Sequence, residues 1–206
     1  VRAYKVNKNE ISVKEEKAEG IVLRSQEFQE RKRIISLLTP SSGLIQMIVK
    51  GLSERRPHLF ALTTPFTLGE YHYWEGRSSL YQFTEGAVLD EQLYLREKLS
   101  YLETAGAMAK WLLDHLLPEA PDATPYLLLK SFIKQIPNFE EKETLLAAFF
   151  VKILQHEGFL DLRSLSLTHR PQVLELAKTR SFSALKQIVI GQDLLALIME
   201  KNRHLA

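Results

Sequence analysis

Between residues 20 and 90 the chain carries five short runs of β-branched and apolar residues, with the longest connection after the third. From residue 91 onward apolar residues recur at helical spacing. These observations predict an α+β chain: an N-terminal five-stranded OB-type β-barrel followed by an all-helical C-terminal domain. The expected organisation is a polar extension over 1–17, a barrel domain over 18–90 and a helical domain over 91–206.

The mixed charges of Lys14, Glu15, Glu16 and Lys17, in a chain that begins with Val1 rather than Met, read as an extension. Strands are expected over 21–24, 33–39, 44–49, 68–74 and 80–89, where Ile, Val, Leu, Tyr and Phe concentrate. Pro40-Ser41-Ser42-Gly43 has turn chemistry, so the second and third runs form a hairpin. A polar segment over 53–58 and the stretch 75–79 join the remaining strands.

Leu95, Leu99, Leu102, Gly106, Ala109, Leu113 and Leu116 alternate spacings of four and three, one seam of a long helix that Pro118 and Pro121 end. Thr124-Pro125 then offers an N-cap and a first-turn proline for a helix over 126–136. A third helix, 141–157, has a wide apolar stripe suited to packing on two sides, and Gly158 stops it. Short helices are expected over 171–178, 183–190 and 192–202.

Composition narrows the chemistry. Lys plus Arg number 27 against 25 Asp plus Glu, so any polyanion contact must come from local clustering. No cysteine is present, which excludes disulfides, thiolate zinc sites and cysteine nucleophiles and fits a cytoplasmic setting. No apolar run approaches membrane-spanning length, and the first residues lack the apolar core of a secretory signal. The six histidines form no helical ligand pair; His156-Glu157 at a helix end reads as solvated side chains, and no metal or cofactor is expected. Phosphate-binding glycine loops and the nucleophile elbow are absent, so the chain reads as a non-enzyme.

What stands out is basic clustering. Arg31, Lys32 and Arg33 precede the second strand, and Lys50, Arg55 and Arg56 follow the third. In a hairpin these two sites lie opposite each other, so six cations meet at one end of the sheet and can contact phosphates, diluted by Glu27, Glu30 and Glu54. Tyr71, Tyr73, Trp74, Tyr81 and Phe83 are candidate stacking rings. Strand alternation separates Trp74 from its tyrosine neighbours, and core positions are favoured for Tyr71, Tyr73 and Phe83.

Taken in order, Glu19-Gly20-Ile21-Val22-Leu23-Arg24-Ser25, Arg33-Ile34, Leu38-Thr39-Pro40 with Gly43-Leu44, Lys50-Gly51, Pro65-Phe66-Thr67-Leu68, Gly76-Arg77 and Leu80 resemble the RecO family of DNA recombination and repair mediators. Leu95-Arg96-Glu97 and Glu157-Gly158-Phe159-Leu160 continue the resemblance, which covers residues 18–162. It implies an OB-fold and a helical domain in a nucleoid-associated protein that binds single- and double-stranded DNA and anneals complementary strands. Its implied partners are RecR and the C-terminal tail of single-stranded DNA-binding protein, with which it helps load RecA without hydrolysing nucleotide. The family's basic loop falls on Lys50, Arg55 and Arg56, and another charged turn on Arg31, Lys32 and Arg33. Lys130, Lys134 and Lys152 are candidates for meeting the acidic tail. Many members insert a four-cysteine zinc module after the position of Leu160; the stretch 161–167 here has no cysteine, and that site is not carried over. The family's basic C-terminal end corresponds to Lys201, Arg203 and His204. The near-neutral charge keeps an alternative open, a protein-interaction scaffold of the same fold with little direct DNA binding.

Overall fold

The computed structural model describes residues 15–76 and 80–203; Arg77 and His204, used above, and most of the expected extension lie outside them. Five strands close a barrel in the order β1-β2-β3-β5-β4: β1 (Glu15–Glu27), β2 (Lys32–Thr39), β3 (Gly43–Lys50), β4 (Leu68–Glu75) and β5 (Tyr81–Asp90). Closure depends on β1, whose first half pairs with β4 (Glu15↔Trp74 to Ile21↔Leu68) and whose second half pairs with β2 (Ile21↔Leu38 to Glu27↔Arg33). Glu15, Glu16 and Lys17, read above as extension, are therefore the start of a strand. A short parallel pairing, Met47↔Tyr81 and Ile48↔Gln82, joins β3 to β5.

Alternation sends Val22, Ile35, Leu37, Ile45, Met47, Val49, Tyr71 and Tyr73 into the barrel interior. One end is plugged by an element the composition of 53–58 concealed, the helix α1 (Pro57–Leu62), which starts on a proline and buries Leu59 and Leu62. The Tyr71 hydroxyl donates to the Leu62 carbonyl at 2.9 Å, and burial pushes its pKa well up. Tyr71 and Tyr73 are core, as the alternation favoured, and Phe83 and Tyr81 lie half-buried against them in edge-to-face contact.

The helical half comprises α2 (Leu99–His115), α3 (Ala123–Ile133), α4 (Lys142–His156), α5 (His169–Lys178), α6 (Phe182–Leu185) and α7 (Gln192–Arg203). The long predicted seam is broken: Leu93–Arg96 is a 3₁₀ turn, and Leu99 is 71% exposed at the start of α2. The cap of α3 is Asp122 rather than Thr124, its carboxylate accepting the Thr124 N–H at 2.8 Å. α4 is the central helix, touching α2, α3, α5, α6 and α7, and Gly158 at φ +77° ends it. Among the described residues no helix is long and apolar enough to cross a membrane.

One continuous apolar core joins the two halves. Ile21, Leu23, Leu38, Leu44, Phe66 and Leu68 on the barrel's outer face pack in the same cluster as Leu112, Leu129 and Phe149 of the helices. Beside this seam Glu19 on β1 accepts hydrogen bonds from Lys130 and Tyr126 on α3. The Lys130 ammonium, then the Tyr126 hydroxyl, hold the Glu19 carboxyl below its ordinary pKa despite partial burial. A depressed native pKa contributes stability above the unfolded carboxyl value of about 4.3 and loses it as pH falls toward the native value. Glu19→Ala is expected to cost about 1–2 kcal/mol at pH 7 and less at pH 3.5, a convergence read by urea melts at the two pH values.

Candidate nucleic-acid interface

The β2–β3 hairpin has a closed and an open end. At the open end Lys32 and Lys50 are direct cross-strand partners. The N–H groups of Gly51 and Leu52 both donate to the Arg31 carbonyl, at 3.0 and 3.1 Å, folding the loop after β3 back across the turn before β2. Gly51 (φ +82°) and Arg31 (φ +56°) adopt the left-handed backbone this return needs. The Arg56 guanidinium covers Gly51, with Nη1 3.1 Å from where a Cβ would stand. Arg31, Lys32, Lys50 and Arg56 are thus neighbours at one end of the hairpin, where its geometry puts them.

Their electrostatic states differ. Like charges directly opposite in a ladder cost stability, yet each lysine is met by a neutral amide. Lys32 Nζ donates to Gln29 Oε1 and Lys50 Nζ to Gln82 Oε1, both at 2.7 Å, so neither charge is cancelled. Arg31 sits 3.6 Å from Glu30 with both side chains largely in water, where the pair is weak. Among the described residues Arg55 and Arg56 have no carboxylate within ion-pair distance. Arg33 is different. It shares the interior-facing parity of Ile35 and Leu37, and its guanidinium is 3.6 Å from Glu27, 3.1 Å from Thr63 Oγ1 and 5.2 Å from the Phe60 ring. It fastens α1 to the barrel mouth.

The surface extends beyond the residues that sequence reasoning selected. A β-bulge between Val22 and Arg24 breaks the alternation of β1 and sets Arg24 opposite Ser36 on the outer face. Exposed Arg24 and Gln46 thereby join Lys32 and Lys50 across β1, β2 and β3, the side on which OB-folds receive oligonucleotides. Phe28, in the turn between β1 and β2, is 42% exposed beside Arg31 and Lys32, and its N–H bonds the Lys32 carbonyl at 3.0 Å. In the sequence Phe28 shows only as a lone aromatic residue within the charged stretch 26–33, and only the bulge reveals Arg24.

The helices cover the opposite end of the hairpin's outer face, at Leu38 and Leu44. Six residues of strand, roughly 20 Å, separate them from Lys32 and Lys50. Two of the lysines considered for an acidic tail are used within the fold. Lys130 bonds Glu19, and Lys152 Nζ donates to the Thr179 carbonyl at 2.6 Å and the Ala177 carbonyl at 3.4 Å; burial, then Arg180, lowers its pKa. Lys134 is exposed.

A closed barrel with parallel β3–β5 closure, a helix between β3 and β4, and a helical half packed on its outer face defines an OB-fold protein with a C-terminal helical domain. The family model for the N-terminal part of recombination protein O matches residues 13–92. A DNA repair protein RecO of Chlamydia pneumoniae is 30% identical over 143 residues, covering 69% of this chain and 56% of that protein. RecO proteins of Symbiobacterium thermophilum (32% over 143 residues; 68% and 56%) and Clostridium acetobutylicum (28% over 149 residues; 69% and 58%) match similarly. The chain belongs to the RecO family. It spans a little over half the length of the curated relatives it matches.

Proposed function

We propose that this chain acts in DNA recombination and repair as a mediator, binding single- and double-stranded DNA at the open end of the β2–β3 hairpin and annealing complementary strands. In this reading it works with RecR and the tail of single-stranded DNA-binding protein to help load RecA. The names of its relatives support the repair role. One observation carries the binding surface: Lys32 and Lys50 are held in register, uncancelled, beside Arg31 and Arg56, with Arg55 exposed in the same loop. Arg33 contributes by positioning α1. A cationic surface suits annealing, because it neutralises the phosphates of two strands whatever their sequence.

The test is affinity for an oligonucleotide across a salt series, read by fluorescence anisotropy. Five phosphate contacts give a log–log slope of about −3.5 to −4.5; a flat response sinks the reading. If RecR and the tail peptide are both captured while DNA affinity is absent, the scaffold alternative takes its place.

Phe28 supplies a second prediction. Phe28→Ala is expected to weaken single-strand binding about 5- to 10-fold, at the lower end of base–aromatic stacking, while leaving the salt slope and duplex affinity unchanged. Equal losses for single strands and duplex would mean that the ring does not stack on bases.

A further inference from the structure

Where the N-terminus of α3 meets the C-terminus of α4, three potential metal-ligating side chains converge. Asp122, the α3 cap, uses Oδ1 to accept the Thr124 N–H at 2.8 Å and turns Oδ2 to within 2.5 Å of His156 Nε2. Glu157 follows His156, and one donor atom from each of the three lies within 4.8 Å of the other two. Ligand atoms on one ion at about 2.0–2.2 Å stand roughly 3.3–3.6 Å apart, so side-chain rotations that open the His156–Asp122 contact and draw Glu157 inward bring the three onto one ion.

Charge and surroundings favour a cation. Two carboxylates and one imidazole are a donor set for a cation. Among the described residues neither carboxylate has a lysine or arginine within ion-pair distance. The C-terminal end of α4 adds the negative pole of a helix. The Thr124 N–H fixes the Asp122 carboxylate, as outer hydrogen bonds orient metal ligands. Asp122 and Glu157 also line a cavity of about 330 Å³ between barrel and helices, walled by Leu38, Leu44, Pro125 and Phe159. This leaves room for an open coordination position, the arrangement of a site with three protein ligands.

We propose that Asp122, His156 and Glu157 form a binding site for a divalent transition-metal ion of the zinc class. The ion ties α3 to α4 across 34 positions of sequence and braces the wall of the groove. The site is unlike the family's four-cysteine module, which a chain without cysteine cannot build. It stands independently of the DNA-binding reading.

The test uses the tag-free chain, stripped with chelator and titrated with zinc chloride against a chromophoric competitor. One zinc per chain is expected, with affinity reduced at least tenfold, about 1.4 kcal/mol, in Asp122→Asn and in His156→Ala. Zinc should raise the melting temperature of the parent chain and much less that of the variants. Glu157→Gln, at an exposed position, supplies a variant that keeps the helix cap and the His156 contact. The absence of saturable zinc binding by the parent chain overturns the proposal, since it leaves a plain histidine–carboxylate bridge. Equal zinc binding by the parent, His156→Ala and Glu157→Gln overturns it as well. Oligonucleotide affinity measured with and without chelator separates this result from the fate of the DNA-binding reading.

Discussion

Replacing Lys32, Lys50, Arg55 and Arg56 together by alanine is expected to lower single-strand affinity about 1,000-fold near 50 mM salt and to reduce the log–log slope by about 3. Each phosphate contact contributes roughly 0.7 to the slope on single strands and 0.9 on duplex, so four lost contacts account for that change. Extrapolated from 1 M to 50 mM salt, the same slope amounts to three to four decades of affinity. Arg33 is left intact because its contacts with Glu27, Thr63 and Phe60 hold α1 in the barrel mouth. Stability provides the control. Lys32 and Lys50 face each other across the ladder, and removing like charges from such a pair raises stability by about 0.2–1 kcal/mol. The variant should therefore melt no lower than the parent while binding far more weakly. An unchanged slope would place the DNA contact elsewhere on the molecule.

That this surface could be read before any coordinates follows from hairpin geometry. The turn at 40–43 sets the register of β2 against β3, and the register carries residues 32 and 50 to one end. Features that depend on distant partners were not legible. β1 showed its apolar middle but not Glu15, Glu16 and Lys17, which are strand because β4 supplies Trp74, Tyr73 and His72 opposite them. α1 looked like polar loop, since only the barrel interior gives Leu59 and Leu62 somewhere to go. Strict alternation from Val22 would turn Arg24 inward, and the bulge places it outside. Asp122 and His156 lie on separate helices, so no local pattern announces their meeting.

Gly43→Ala should be the most damaging small substitution in the barrel, costing about 3 kcal/mol or more. Gly43 opens β3 at φ +66°, where a non-glycine residue costs roughly 1–3 kcal/mol. A Cβ there would also stand 2.1 Å from the Ala120 carbonyl oxygen and 2.9 Å from its carbon, and neither backbone atom can rotate aside. The approach is close because this turn is docked on the α2–α3 connection: Leu44 bridges Pro118, and the Glu119 N–H donates to the Leu44 carbonyl at 3.0 Å. Gly51→Ala is the matched comparison. Its φ is similar at +82°, but its Cβ would meet only the movable Arg56 Nη1 at 3.1 Å, so a loss of about 1 kcal/mol is expected. For a chain of this size the Gly43 change should lower Tm by about 6–12 °C. A fall of less than about 2 °C would show that the turn is not seated on residue 120. The shape of the transition tests the shared core as well. Because Leu38 and Leu44 pack in one cluster with the helices, undocking the turn should lower the melting of both halves in a single step. If the barrel alone melted early, the two halves would be separate folding units joined by a contact rather than by a common interior.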